Sequence, residues 1–138
     1  MHEQNRYPHL LPQDAPILSA YLKEHGNRYQ SVDFDVRVGT GRDPGDDYDD
    51  NIRKMALDLS RRRIDALGRG PTGVDIIEVT DAAGVTALGQ LLAYGSLYMI
   101  DHPDEPQPRL IIAARTLQSD MFHAYRAAGI VITLYPGA

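Results

Sequence analysis

Apolar and polar positions along this chain follow two different periods, and the places where the period changes mark the expected elements. Ile17, Leu18, Tyr21 and Leu22 recur at helical spacing, with Asp14 where an N-cap belongs, Pro16 in the first turn and Gly26 at the end, so a first helix is expected from Asp14 to Gly26. Val32, Phe34, Val36 and Val38 then alternate with Asp33, Asp35 and Arg37, the period of a strand with one buried face. The glycine-rich, acidic run that follows predicts a loop; it has no G-K-[ST] and therefore no phosphate cradle. Helical spacing returns at Ile52, Met55, Ala56 and Leu59, a second short helix that runs into Arg61, Arg62 and Arg63.

Two alternating runs, Arg63 to Leu67 and Val74 to Thr80, flank the turn-forming cluster GRGPTG and predict a β-hairpin. Gly84 to Ile100 reads as a helix with Leu88, Leu91, Leu92, Gly95 and Tyr98 or Met99 facing inward. DHPDEPQP breaks it. Leu110 to Ala114 is a short apolar strand, Ser119 caps a helix carrying Met121, Ala124, Tyr125 and Ala128, Gly129 ends it, and Ile130 to Leu134 is a last strand. The order α, β, α, β, β, α, β, α, β predicts an α/β fold with a central mixed sheet flanked by helices.

At 138 residues the chain has room for one domain, taken as residues 14–138 behind a polar arm of residues 1–13 that needs a partner surface to become ordered. No apolar run is long enough for a membrane helix and the start lacks a signal-peptide pattern, so the expected location is the cytoplasm, or a virion assembled there if a phage encodes the protein. The absence of cysteine removes disulfides, thiolate metal sites and thiol nucleophiles together. A net charge of −5 opposes broad coating of a phosphate backbone. Of the 14 basic residues only Lys23 and Lys54 are lysine, which limits what can serve as a catalytic ammonium.

If the hairpin pairs symmetrically about Pro71 and Thr72, Asp65 falls opposite Glu78. Alternation then puts Ile64 and Ala66 on one face with Ile77 and Val79, and Asp65 on the other with Glu78 and Thr80. Two carboxylates across a ladder repel, so the pair asks for a cation, either a hard divalent ion or an arginine from the 61–63 run, unless a different register separates them.

This segment resembles the PD-(D/E)XK nuclease superfamily. Asp65 matches the Asp of one hairpin strand, Glu78-Val79-Thr80 stands at E-x-K on the next, and Gln90 to Tyr94 resembles the Q-x-x-x-Y signature of the RecB-like members. The resemblance implies a restriction-endonuclease-like core, Mg²⁺ held by Asp65 and Glu78, water activated for phosphodiester hydrolysis, and Gln90 and Tyr94 binding DNA or ordering the site. Thr80 stands where the lysine belongs, and a neutral hydroxyl neither orients the attacking water nor stabilises developing charge as an ammonium does. Lys54 is the better placed substitute of the two lysines, and Arg115 offers charge without proton transfer.

The other chemical readings are weaker. His2, His9, His25, His102 and His123 lack metal-ligand spacing, no serine sits in G-x-S-x-G, and Asp46, Asp47, Asp49 and Asp50 lack the pattern of a calcium loop. Three functions remain. The first is a nuclease-fold domain without catalysis, reused in assembly, for instance as a head-to-tail or tail component of a phage particle, with protein neighbours and a homo-oligomeric state. The second is a Mg²⁺-dependent DNA endo- or exonuclease using Asp65, Glu78 and Lys54. The third is a non-cleaving nucleic-acid-binding protein using Arg61, Arg62, Arg63, Arg69, Gln90 and Tyr94.

Overall fold

The structure, a computed structural model, describes Tyr7 and residues 9–138, leaving aside the side chains of 58–60. His2 and the rest of the arm before Tyr7 lie outside the described residues, as does the side chain of Leu59. The elements are α1 (Ala15–His25, followed by a 3₁₀ turn), β1 (Ser31–Val38), α2 (Asp50–Ser60), β2 (Arg62–Gly70), β3 (Gly73–Ala83), α3 (Val85–Asp101), β4 (Arg109–Leu117), α4 (Phe122–Ala127, after a 3₁₀ turn at Ser119–Met121) and β5 (Val131–Leu134). Their order is the one the sequence predicts, and the chain is α/β with a five-stranded mixed sheet flanked by helices.

The strands lie in the order β1-β2-β3-β4-β5, so every strand neighbours its predecessor. β1, β2 and β3 form an antiparallel meander, while β4 and β5 run parallel to β3 and need the crossovers that α3 and α4 supply. α1 covers one face, where Ile17, Leu18 and Tyr21 pack with Ala66, Ile77, Val79, Ile111 and Ala113. α3 covers the other, where Leu91, Tyr94 and Tyr98 pack with Ile64, Ile76, Ile112 and Tyr125. Helices on both faces explain why β3 is buried without a break from Val74 to Val79, Asp75 and Glu78 included. Each fully buried Ile, Leu or Tyr in these clusters contributes on the order of 1.5–3 kcal/mol.

The hairpin turns on Pro71 and Thr72 alone, between Gly70 and Gly73, and both strands are longer than their alternating cores. Beside it the Tyr29 ring lies on Gly68, where an added Cβ would stand 2.5 Å from a ring carbon. The Tyr29 hydroxyl donates to Asp75 at 2.7 Å, and Asp75 accepts two further bonds from the Arg109 guanidinium at 2.8 and 3.1 Å. This brace ties the end of α1 to three strands.

Several expectations need correcting. Asp14 does not cap α1 with its side chain, and Ser119 opens a 3₁₀ turn instead of capping α4. Ile52 and Met55 are 48% and 62% exposed, so these two positions of the α2 stripe face solvent and not the core. Leu92, expected inside, is 44% exposed on α3. The single buried face expected of β1 divides: Val32 packs with the α1-side cluster and Phe34 against Tyr7, whereas Val36 and Val38 join the α3-side cluster. β2 divides at the same level, with Ala66 on the α1 side and Ile64 on the α3 side, so Ile64 does not share a face with Ile77 and Val79. The physical cause lies at Asp35, whose φ of 56° breaks the pleat between the Phe34↔Ala66 and Val36↔Ile64 pairs.

Candidate functional site

Asp65 occupies the point where its neighbours part. The β2–β3 ladder runs from Gly70↔Gly73 in the register expected for the hairpin and ends at Ala66↔Ile77, one pair short of Asp65 and Glu78. Freed from ladder geometry, the Asp65 carboxylate accepts the Val79 backbone N–H at 2.9 Å and forms a side-chain hydrogen bond with Glu78. The structure thus brings the two predicted carboxyls together.

Glu78 is only 7% exposed. Burial, the hydrogen bond to Asp65 and the Asp65 charge all push its carboxyl far above the ordinary range, and its Oε2 is buried without a hydrogen-bond partner. At neutral pH Glu78 therefore keeps its proton, and the two groups are joined instead of repelling.

A third carboxyl, missed in the sequence, stands close by. Asp14 is 8% exposed, and burial first, then the Asp65 charge, raises its affinity for a proton. Its Oδ1 also lacks a partner. The signal that misled was position: an aspartate just before an apolar helical stripe reads as a cap, and nothing in the sequence separates a capping Asp14 from one turned into the core.

Tyr94 lies in the core beside the pair, 7% exposed, its hydroxyl pushed up to about 12 by burial and then by the charges of Glu78 and Asp65, with Arg62 opposing. Gln90, one turn earlier on α3, is exposed. Thr80 is half-buried two residues beyond Glu78. Lys54 and Lys23 are exposed on α2 and α1, and among the described residues no hydrogen bond or ion pair joins either to the acids.

Most of the predicted cationic set is engaged elsewhere. Arg61 donates to the carbonyls of Gly39 and Arg37 and pairs with Asp101 at 3.2 Å. Arg63 meets Asp35 at 3.6 Å and His9 at 3.2 Å. Arg69 pairs with Glu105 at 3.3 Å, four residues along β2 from Asp65 and so about 13 Å away along the strand. Arg115 is held by Asp81 and the Ala138 carbonyl. Arg62 alone of the 61–63 run has no ion-pair partner among the described residues, and it is exposed.

Asp65 also lines a cavity of about 370 Å³ with Tyr7, His9, Phe34, Asp35 and Arg63. His9 Nε2 lies 3.1 Å from Asp35, and the arm's Tyr7 is buried edge-on to Phe34. A wider cavity, about 780 Å³, opens at the far end of the hairpin around Tyr29, Thr72 and Arg109, away from the acids.

As metal donors, Asp65 and Glu78 suit a hard cation with oxygen ligands. Among the described residues no three carboxyl or imidazole groups converge into a ready shell, so an ion here would rely on one or two carboxylates and water, a mode Mg²⁺ accepts. The orphaned oxygens of Glu78 and Asp14 fit such an ion, and the proton on Glu78 competes with it. No helix is long and apolar enough to cross a membrane among the described residues. Compared with protein-family models, curated proteins and solved structures, the chain matches none.

Proposed function

We propose that this chain is a PD-(D/E)XK-like domain that does not cut DNA and acts as a structural component of an assembly, such as a head-to-tail or tail protein of a phage particle. The observation that carries the reading is the state of the acid pair: Glu78 is buried and protonated against Asp65, and the residue two positions on is Thr80, not a lysine. A general base or a metal ligand needs an ionised carboxylate at working pH, and a nuclease needs a cation beside the attacked phosphate. In the metal-free chain Glu78 does not supply that carboxylate, and Thr80 does not supply that cation. The engagement of Arg61, Arg63 and Arg69 in ion pairs, with a net charge of −5, also weighs against a nucleic-acid surface.

A second reading, a Mg²⁺-dependent nuclease, is favoured by one observation, the partnerless buried oxygens of Glu78 and Asp14, which a divalent ion would satisfy. The two readings separate in one experiment. Purified protein, Asp65→Ala and Glu78→Ala are incubated with linear, nicked and branched DNA in Mg²⁺ and in Mn²⁺. The assembly reading expects no cleavage by any of the three and no retardation of DNA in a gel. Cleavage by the natural chain that both variants lose would overturn it in favour of the enzyme.

A further inference from the structure

α3 has a solvent face of an unusual kind. Its inner side buries Ala87, Leu91, Tyr94, Gly95 and Tyr98. Its outer side shows Val85 at 68%, Leu92 at 44% and Ile100 at 69% exposure, with Gly89, Ala93 and Ser96 exposed between them. From Val85 to Ile100 there is no charged residue. Exposed Thr86 and Gln90 flank this strip, and where a surface helix normally turns charge to water this one turns none.

Gly89 sharpens the point. A glycine inside a helix is disfavoured relative to alanine, and a Cβ at Gly89 would meet nothing within 4 Å. Nothing within the chain requires glycine there, whereas a second backbone approaching closely would.

We infer that this face of α3 packs against the same face of a second copy, the two helices crossing antiparallel about a two-fold axis between Leu92 and Ala93. The pattern is self-complementary about that point. Val85 meets the partner's Ile100, Gly89 meets the partner's Ser96, and Leu92 meets the partner's Ala93, each contact made twice as an isologous interface requires. Large residues close the ends, small ones let the backbones approach at the centre, and each leucine fills the space over an alanine.

Charge does not forbid this occupant. Two copies of a chain of net charge −5 repel, and this uncharged strip lets them meet with no like charges opposed across the contact. A shallow cavity of about 210 Å³ beside the strip, walled by Leu92, Ser96, Met99 and Leu110, offers room for a side chain from the partner. The 17-residue helix is about 25 Å long, and its outer strip covers roughly 500 Å² on each copy, about 1,000 Å² in all, the lower bound of a specific interface. An interface of this size belongs to the weak, transient class. It stands independently of whether the acid pair ever binds metal.

Sedimentation equilibrium of the full chain from about 1 to about 500 µM tests it, that range bracketing a micromolar Kd. A monomer–dimer equilibrium is expected, with Leu92→Glu raising Kd at least tenfold and Leu11→Glu, at an exposed leucine outside α3, leaving it unchanged. Gly89→Leu gives a second route to the same loss, and circular dichroism checks that both variants fold. Because the chain has no cysteine, Ala93→Cys introduces a unique thiol beside the axis, and mild oxidation should link two copies through it. A monomer across the whole range overturns the inference. So does a dimer that the Leu92 and Gly89 variants leave intact and Ala93→Cys fails to cross-link.

Discussion

Replacing Glu78 by glutamine keeps the side chain's shape and its ability to donate to Asp65, but removes the proton that the fold must hold. Because the folded chain raises the proton affinity of Glu78 above its ordinary value of 4.5, the stability due to that proton is fully present below pH 4.5 and is lost as pH rises toward the folded value. At about 1.4 kcal/mol per pH unit, the loss between pH 4.5 and pH 7 reaches about 3 kcal/mol. Glutamine is a poorer donor than a carboxylic acid in this bond, and about 1 kcal/mol is subtracted for that. Glu78→Gln should therefore be more stable than the natural chain by about 2 kcal/mol at pH 7, with the difference near zero at about pH 5.5 and growing by about 1.4 kcal/mol per pH unit up to pH 8. Urea unfolding of both proteins at each pH measures it, and ionisable groups that do not interact with Glu78 cancel in the difference. A difference independent of pH over this range would refute the protonated, buried pair and with it the main support for a non-catalytic site.

Other outcomes follow from single contacts. Asp14→Asn should leave urea stability unchanged or raise it by up to about 1 kcal/mol, in contrast to the 0.5–2 kcal/mol normally lost with an N-cap, because Asp14 makes no cap bond and its carboxyl is buried without a partner at Oδ1. Gly68→Ala should cost about 2–3 kcal/mol in the same assay, since the new methyl would sit 2.5 Å from the Tyr29 ring and displace it from Asp75. Tyr125→Phe removes a 2.7 Å bond to the Gly84 carbonyl at the start of α3 and should cost about 1 kcal/mol, read as a lower urea midpoint at unchanged slope.

Elements whose periods were long and bounded by glycine or proline were legible. The hairpin register followed from GRGPTG because a two-residue turn leaves the flanking strands one symmetric way to pair, and that register is what delivers Asp65 to Glu78. Alternation failed where it assumes a regular pleat. Nothing in DFDVRV announces that Asp35 takes a positive φ, so the exchange of faces by Val36 and Ile64 was hidden. Periodicity also reports that a face is apolar without reporting what it meets. Ile52 and Met55 had the spacing of a core stripe and lie in solvent, and Leu92 had it and lies on the outer side of α3. The site was half legible for the same reason: Asp65 and Glu78 are placed by local pairing, whereas Asp14 reaches them only through the docking of α1 onto the sheet.

The arrangement of strands around β3 sets an order of assembly. On one side β3 meets β2 through a turn of two residues, and on the other it meets β4 only after the whole of α3 has crossed the sheet. Loop-closure entropy makes the first contact cheap and early and the second late. The hairpin is therefore the natural folding nucleus, with φ-values near one expected for truncations at Ala66 and Ile77 and near zero for those at Val131 and Ile132. Asp65 and Glu78 are then neighbours in solvent while both are still ionised, and the proton enters as α1 and α3 close over them after the nucleus has formed, so a more alkaline buffer should speed unfolding more than it slows refolding.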